Sequence, residues 1–600
     1  MPTPSPNDTD GKIPSFDITL DGSPMDSTIV VLGINVWKSI NKVSRAVITI
    51  LAGDTYMGTF QESELASFAP GTEVTIKMGY DQTNTGVFTG LLIKHAISVK
   101  RGYENAYNRS LLVLECADKA IKMTLDNKSE IFESKMDSDI ITTILSQYGL
   151  TKTVVATTYQ HAFMAQYNVS DWDFMIKRAH ANGLVVLNSD NAVDIKKPTA
   201  ATSSIAEVVY GESAYSFEAE IDASTQLKAS SAKSWDTFKE SLVSQTGSEP
   251  SGKISPGNLT GATLSAVVSP ATWNLYYSGP LETDELKAIA DAAMAESRLK
   301  RVRGQVAFRG MNTVALGTII TLSGFGARFD GDVYVTGIEH EMSDGNFTTK
   351  VVFGLPKQMF GEASFTAESP LLNPIRGMHV GIVKKIDGDP DAGYRIQVQI
   401  PALKEIGNGL WARLTQFFAT KDAGSFFIPE VNSEVVVGFL NDDPRFPVVL
   451  GCLYDTNNKP YTTFTAANSM KAIVTTNKLT LEFDDDKKVI TLKTPGGNSI
   501  IISDDAAGIT IEDQNGNSVK TSSAGITINS SKAINIKSSQ KVTISGGTGV
   551  DISASGGDVG IKGLNVNAQA DIKFSGKGTA QAELTASGQV VVKGAIVMIN

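Results

Sequence analysis

The stretch GITINSSKAINIKSSQKVTISGGTGVDISASG, residues 525–556, carries couples of apolar residues separated by one position, and the couples return every eight residues. Alternation of period two predicts β-strands with one buried face. Eight extended residues span roughly 26 Å at about 3.3 Å each. The couples are Ile526/Ile528, Ile534/Ile536, Val542/Ile544 and Val550/Ile552.

An eight-residue unit is too short for one chain to enclose a core, because single-chain β-helices use about twenty residues or more in each coil. Three chains that supply one unit each complete a coil and pair every strand edge. The repeat therefore predicts an intertwined trimeric β-helix, a triangular prism, with these couples in its core. A disordered Ser/Gly-rich tail is the alternative, but such tails lack regularly spaced Ile and Val. Further couples are Val559/Ile561, Leu564/Val566, Ile572/Phe574 and Val590/Val592, with wider, less regular turns predicted over residues 479–511.

The composition excludes several classes of protein. Of the 600 residues 42% are hydrophobic, enough for several cores, and a net charge of −11 argues against a protein that binds nucleic acid through its phosphates. Two cysteines far apart predict no disulfide framework. The first residues lack the features of a secretory signal, and no run of about 18 apolar residues predicts a membrane-spanning helix. We therefore expect synthesis in a cytoplasm without a signal peptide.

A compact segment, residues 373–454, precedes the repeat. Its short alternating stretches are separated by Gly, Pro and Asp turns, which predicts a small closed barrel of the oligonucleotide/oligosaccharide-binding (OB) type. Within it, residues 428–455 read IPEVNSEVVVGFLNDDPRFPVVLGCLYD. This run resembles the barrel of VgrG spike proteins and of the equivalent phage tail-spike proteins.

Two stretches upstream extend the resemblance. FAPGTEVTIKMGYDQTNTGVFTGLLI (68–93) is similar to the first hub barrel of the VgrG family, and so is AQYNVSDWDFMIKRAHANGLVV (165–186). The implied fold is mainly β with minor α, and it combines two hub β-barrels, an OB-fold-like barrel and the trimeric β-helix needle. The expected domains are a first hub barrel with helices (1–198), a linker region with a second hub barrel (199–368), the OB-fold barrel (369–458) and the needle (459–600).

Three helices are predicted within the hub. Ser170 is a candidate N-cap for a helix that ends near Gly183, and Ser138 for a helix that ends at Gly149. A third helix is predicted over residues 283–301.

The resemblance implies a homotrimeric spike at the tip of a contractile injection machine. In this family two hub barrels from each of three chains form a ring of six that matches a sixfold inner tube. The implied partners are an Hcp-like inner tube protein, baseplate proteins, effector cargo and the target cell envelope, reached after delivery outside the cell. A hub-spike of a contractile phage tail remains an alternative. A carbohydrate-binding β-helix fibre is a weaker one, because Phe574 is the only aromatic residue after Gly496.

No catalytic residue, metal ligand set or cofactor site is predicted. The Asp-rich run DGDPDAG (387–393) resembles the start of a calcium loop, but Pro390 interrupts it and position twelve is Val398, where a Glu is needed. A solvated hairpin turn is favoured there. The chain's five histidines have no metal-ligand spacing: His95, His161, His180, His340 and His379.

The last turns of the needle are rich in apolar residues, and the last histidine, His379, lies far upstream, so no metal-stabilised point is expected. Three such ends form a blunt apolar face, which usually marks a binding site. Family resemblance supplies the partner, a small PAAR-repeat tip protein. The residues predicted to dock it are Val590, Val592, Ile596, Val597, Met598, Ile599 and Asn600.

Overall fold

The computed structural model describes residues 3–54, 57–100, 109–198, 203–237, 239–252, 254, 256–357, 374–403 and 409–599, with the side chains of 100 and 109 excepted. The chain divides into two compact units, Met1–Pro460 and Tyr461–Asn600. We call residues 3–357 the hub. The predicted domain boundaries 198/199 and 368/369 involve residues outside the described ranges.

The secondary structure is mostly β. Strands of the hub are β1 (Pro14–Leu20), β2 (Ser23–Pro24), β3 (Val31–Ser39), β4 (Arg45–Leu51), β5 (Glu73–Tyr80), β6 (Thr83–Lys100), β7 (Arg109–Ala117), β8 (Asn127–Met136), β9 (Thr151–Val154), β10 (Gln160–Ser170), β11 (Val185–Ser189), β12 (Ala192–Lys196), β13 (Glu207–Val209), β14 (Ala214–Ile221), β15 (Ser230–Asp236), β16 (Ser241–Thr246), β17 (Trp273–Tyr277), β18 (Val302–Arg309), β19 (Ile319–Ser323), β20 (Gly331–Ser343) and β21 (Asn346–Phe353). Strands of the barrel segment are β22 (His379–Lys385), β23 (Ile396–Gln399), β24 (Leu410–Leu414), β25 (Ala419–Thr420), β26 (Ala423–Gly424), β27 (Glu434–Phe439) and β28 (Pro447–Leu453). Strands of the second unit are β29 (Met470–Val474), β30 (Thr480–Asp484), β31 (Val489–Lys493), β32 (Ser499–Ser503), β33 (Gly508–Glu512), β34 (Ser518–Ser522) and β35 (Gly525–Asn529). The helices are α1 (Asp137–Ser146), α2 (Asp171–Ala181), α3 (Gly261–Val268) and α4 (Thr283–Leu299).

The hub is built on one 13-stranded sheet in the order β14-β18-β21-β20-β3-β4-β7-β6-β5-β1-β2, with β19 paired to β20 and β13 to β19. The two predicted hub barrels share this sheet, because β3 and β20 pair as antiparallel neighbours from Ser39/Gly337 to Gly33/Ser343. Each half keeps its own buried apolar core. The first includes Ile34, Ile48, Ile76, Phe88 and Leu112, and the second includes Val306, Phe308, Ile320, Val351 and Phe353.

Helices α1 and α2 pack together in a third core beside the sheet. The Ser170 cap is confirmed, because its Oγ accepts the Asp173 N–H at 3.1 Å. The Ser138 cap is wrong. Ser138 lies inside α1, which Met136 precedes, and the Asp139 carboxylate accepts the Met136 N–H at 3.3 Å. The third predicted helix is α4, which ends at Leu299.

In the region 199–368, which is expected to combine a linker with the second hub barrel, the described residues before α4 hold β13–β17 and α3. Its inward positions include serines whose hydroxyls bond to main-chain carbonyls. Ser230 Oγ donates to Ala290 O and Ser234 Oγ to Gly279 O, each at 2.7 Å. Buried serine satisfied in this way hides the apolar alternation by which strands are recognised.

The barrel segment forms a small closed barrel of the strands β22-β23-β24-β28-β27, as predicted. Its core consists of inward-facing aliphatic side chains, including Val383, Val398, Val435, Val437 and Val449. The Asp-rich run is a turn of this barrel between β22 and β23. The Asp389 carboxylate accepts the N–H groups of Gly393 and Arg395, and the Arg395 guanidinium spans Asp389 and Asp391. A guanidinium therefore balances the charge that a calcium loop would present to the metal.

A buried imidazole makes the hub sensitive to pH. His340 lies in β20 and is 2% exposed, and its Nδ1 is 2.9 Å from Thr349 Oγ1. Burial, followed by the charge of Lys38 and partly offset by Asp190, lowers the pKa of His340 from 6.5 to about 3. The native state therefore holds this ring neutral, whereas the unfolded chain protonates it below about pH 6.5.

We predict that His340 contributes stability that is complete above about pH 6.5 and is lost as the pH falls towards 3. Between pH 7 and pH 5 the free energy of unfolding of the hub should fall by about 2 kcal/mol on this account. Denaturant unfolding of wild type and His340→Gln at both pH values measures it. Between pH 7 and pH 5 the free energy of unfolding should fall by about 2 kcal/mol less in the variant than in the wild type. An equal pH dependence in both proteins contradicts the prediction.

Candidate functional site

The second unit begins with a seven-stranded antiparallel meander, β29 to β35. Its register places the apolar couples opposite one another on one face of the sheet. Ile490 pairs with Ile502, and Ile502 pairs in turn with Ile509. Val519 pairs with Ile528 in β35, so the first predicted core couple, Ile526/Ile528, lies in the last strand of the meander.

The turns of the meander depend on left-handed backbone. Positive φ angles occur at Lys478, Lys488, Gly497, Ala507 and Gly516, each between two strands. Gly525 is the last described residue with a positive φ. Tight reversals of a hairpin commonly need such conformations, and residues 526–599 have none, so this part of the chain makes no hairpin.

Beyond Asn529 the chain is extended, with short bends that recur about every eight residues. The bends fall at 531–532, 539–540, 547–548, 555–557, 564, 571–572, 579–580, 587–588 and 595–596. Within residues 530–599, all of which are described, no strand pairing and no hydrogen bond between main-chain groups is present. A row of unpaired N–H and C=O groups of this length requires partners from outside the chain.

The predicted trimer core residues beyond the meander stand at equivalent positions in successive units. Ile534 is 52% exposed and Ile536 71%, and the next couple repeats the values with Val542 at 50% and Ile544 at 69%. Val550 and Ile552 are exposed in the same way. Regularly placed aliphatic side chains along a single strand of chain form an apolar surface that soluble proteins cover.

In two of the further couples, Leu564/Val566 and Ile572/Phe574, the first residue lies in a bend and the second lies in an extended segment. Leu564 and Ile572 lie in bends and are fully exposed, whereas Val566 and Phe574 lie in the extended segments that follow. The sequence pattern alone could not separate bend from strand here, because both positions are apolar.

The predicted docking residues at the end of the needle are exposed in this chain. Ile596 follows Ala595 in the last bend, and Met598 and Ile599 are 79% and 90% exposed. Val590, Val592 and Val597 are also exposed, and Asn600 lies outside the described residues.

The five histidines of the hub and barrel serve separate contacts. His161 and Arg178 both approach the buried Asp137, the imidazole Nε2 at 3.1 Å and the guanidinium at 2.6 Å. Burial alone would raise the pKa of Asp137, but Arg178 and His161 more than offset it and hold that pKa far below its usual range. The partners of the others are Ser63 and Phe68 O for His95, Glu296 for His180, Thr349 for His340 and the ring of Tyr167 for His379.

Sequence reasoning missed the role of Arg445, which lies in the barrel motif NDDPRFP. Its buried guanidinium bonds to Asp443 at 2.7 Å and to Glu285 at the start of α4 at 2.8 Å. Burial alone would lower the pKa of Arg445, but the two carboxylates raise it above the ordinary value. This ion cluster fixes the barrel on the hub. The available signal was a charged residue between two prolines, Pro444 and Pro447, directly before the apolar strand β28.

Comparison with known families assigns both C-terminal segments. Residues 379–454 match the type VI secretion system/phage-baseplate injector OB domain, and residues 489–600 match the phage baseplate V C-terminal trimerisation domain. These two matches cover the barrel and most of the second unit, and they support the resemblance to VgrG spike proteins. The chain belongs to the family of the Alg8 N-terminal domain, whose model matches residues 10–344.

Curated relatives match over a short segment. The type VI secretion system spike protein VgrG5 of Pseudomonas aeruginosa is 46% identical over 52 residues, which are 8% of this chain and 7% of that protein. VgrG3 of Vibrio cholerae is also 46% identical over 52 residues, 8% of this chain and 5% of that protein. The chain therefore spans less than a tenth of the length of the curated relatives it matches.

Solved structures agree in fold over a longer part of the chain. A lidded Francisella PdpA-VgrG complex has a TM-score of 0.51 at 10% identity and covers 84% of this chain and 80% of that one. A lidless PdpA-VgrG complex has a TM-score of 0.50 at 10% identity and covers 87% and 98%. At such low identity the likeness concerns the fold alone.

We predict that Ile536→Asp prevents assembly of the needle. In a prism the change places three carboxylates in one dry layer, where an unpaired charge costs several kcal/mol or more. Light scattering should give a trimer for the wild type and mainly monomer for the variant at micromolar concentration. Lys537→Asp is the matched control, because the neighbouring side chain points to the other face of the strand. A wild-type monomer, or a trimeric Ile536→Asp protein, contradicts the prediction.

Proposed function

We propose that this chain is the hub and spike at the tip of a contractile injection machine, where it joins a sixfold inner tube to a threefold needle that punctures the target envelope. The observation that carries the proposal is the extended segment 530–599, with unpaired main chain and aliphatic side chains repeated about every eight residues. Three copies of this segment would pair one another's edges and bury their aliphatic rows. A narrow rod of this kind suits a mechanical role.

The functional division that we propose follows the predicted domains. The two hub domains (1–198 and 199–368) would contribute two barrel-like halves per chain, so that three chains present six to the inner tube. The OB-fold barrel (369–458) would connect this ring to the needle (459–600). The main-chain pairing of β3 with β20 supports a stiff hub, since it ties the two halves of one chain together.

We further propose the partners of this assembly. They are an Hcp-like tube protein, baseplate proteins and effector cargo, in a particle that is built in a bacterial cytoplasm and acts outside the cell. Among the described residues, no helix is long and apolar enough to cross a membrane.

We propose that the spike is not itself an enzyme. The titratable groups that cluster in the hub and barrel bond to one another: Asp137 with Arg178, Glu296 with His180, and Asp389 with Arg395. In each of these pairs the carboxylate is held by a cation or an imidazole, an arrangement that suits a structural role. The purified trimer should produce no clearing on peptidoglycan or polysaccharide plates, and clearing by the pure protein refutes this part of the proposal.

The apolar end of the needle is proposed to carry the PAAR-type tip protein. Ile599 is the most exposed of the described docking residues, and a large apolar side chain so placed adds binding energy when it is covered. Three copies around one axis would present these side chains as one triangular patch.

Ile599→Asp should abolish co-purification of the tip protein while the trimer remains intact, because three charges would then face an apolar partner. Co-expression with the tip protein and affinity capture measures binding, and light scattering checks the trimer. Lys593→Asp is the control, with a charge change close by outside the patch. Wild-type retention of the tip protein by both Ile599→Asp and a protein lacking residues 596–600 places the docking site elsewhere.

A further inference from the structure

The barrel carries an aromatic hairpin, residues 416–427, whose apolar side chains are not covered by this chain. Strands β25 and β26 form its arms, and a pair of phenylalanines flanks each arm. Phe417 and Phe426 are 101% and 86% exposed, and Phe418 and Phe427 are 54% and 63% exposed. Exposed large aromatic side chains in such a cluster mark an interaction surface.

The hairpin is ordered by its own polar residues, not by its aromatic ones. The Ser425 N–H donates to Phe418 O at 2.7 Å, and Ser425 Oγ accepts the Phe418 N–H at 3.2 Å. Gln416 Nε2 donates to Phe427 O at 3.2 Å. Gly424 has φ +146°, and a Cβ there would lie 2.5 Å from Phe418 O, so the tight hairpin requires glycine at this position. The phenylalanines are thus held in place without being needed to hold the hairpin.

Register assigns the phenylalanines to two faces. Ala419 pairs with Gly424, and the hydrogen bonds between Phe418 and Ser425 continue the register, so Phe417 stands opposite Phe426. Side chains alternate along each arm, which puts Phe418 and Phe427 on the other face. The face with Phe417 and Phe426 is the more exposed one, and it is free to meet another molecule.

A second apolar surface lies on the same barrel. Val380 in β22, Leu450 and Leu453 in β28 are all exposed, and the register aligns Val380 with Val436 and then with Gly451. No atom lies within 4 Å of a Cβ built on Gly451, so the strand is open at that point. An aromatic ring can lie flat against a glycine that is flanked by aliphatic side chains. We call this surface, Val380, Val436, Leu450, Gly451 and Leu453, the glycine face.

We propose that the Phe417/Phe426 face of each hairpin packs on the glycine face of the neighbouring copy, so that the three barrels close into a ring. A threefold ring needs two different complementary surfaces on each copy, and the barrel has such a pair. The two phenylalanines of the packing face carry about 350 Å² of exposed apolar surface. With a similar area from the neighbour, the contact reaches about 700 Å², which is small for an interface between separate molecules and needs the barrels to be held close together.

The neighbouring copy is the favoured occupant because a short connection to the needle keeps the barrels of one trimer close together. Only seven residues separate Leu453, at the end of β28, from Tyr461, the first residue of the second unit. Seven residues reach about 25 Å when fully extended. This inference rests on the trimer proposed above: once three needles assemble, three barrels are confined together at an effective concentration of about millimolar, where a modest apolar contact is occupied.

Photo-crosslinking tests the contact. In Phe417→p-benzoylphenylalanine, irradiation of the purified trimer should shift the protein on a denaturing gel from the single chain of 63.9 kDa to covalent dimers and trimers. Mass spectrometry should place the linked residues in β22 or β28 of another chain. The position is fully exposed, so the probe does not disturb the fold. Tyr394→p-benzoylphenylalanine is the control, an exposed aromatic residue of the same barrel that should give no chain-to-chain product.

Light scattering of the same samples separates the two proposals. Absence of a trimer before irradiation means that the proposed function has failed. A trimer that gives no link between chains at position 417 overturns the inference while the spike assignment stands. Equal products at 417 and 394 also overturn it, and so do linked residues that lie outside β22 and β28.

Discussion

The structure depends on one constraint: residues 530–599 cannot satisfy their own main chain. The segment is extended, bends about every eight residues and has no returning strand. An unpaired strand edge of this length, lined with aliphatic side chains, is unstable and prone to aggregate in isolation. Association of three copies removes both problems together, because it supplies partners for the N–H and C=O groups and covers the side chains. The threefold spike that we propose follows from this requirement.

The change from meander to needle coincides with the loss of left-handed turns. Strands of the meander begin at Met470, Thr480, Val489, Ser499, Gly508, Ser518 and Gly525, so each step of seven to ten residues holds a five-residue strand and a reversing turn. Left-handed residues such as Lys488 and Gly516 lie in those turns. Beyond Gly525 the units are about eight residues long and the left-handed positions stop. The same alternation of Ile and Val therefore pairs within the chain above this point and must pair between chains below it.

Rigidity in the first unit comes from buried ions as well as from the sheet. Arg445 joins the barrel to α4 through Asp443 and Glu285, and Asp137 of α1 binds Arg178 of α2. Burying such groups costs several kcal/mol of desolvation per ion, so the pairs add little net stability. Removal of one partner is far more costly, which restricts the barrel and hub to one mutual arrangement. A part that transmits force benefits from a single arrangement more than from additional stability.

The sequence by itself determined the features that depend on a local repeat or on a short motif. The alternation at Ile534/Ile536 indicated the needle, the IPEV…DDPRFPVVLG run indicated the barrel, and Ser170 indicated the start of α2, because each of these depends on neighbours a few residues away. Only the tertiary structure decided the rest. The union of both hub halves in one sheet required β3 to meet β20, far away in the chain. The buried serines near Ser230 and the clamp at Arg445 likewise take their meaning from partners distant in sequence, and no local pattern encodes which distant groups will meet.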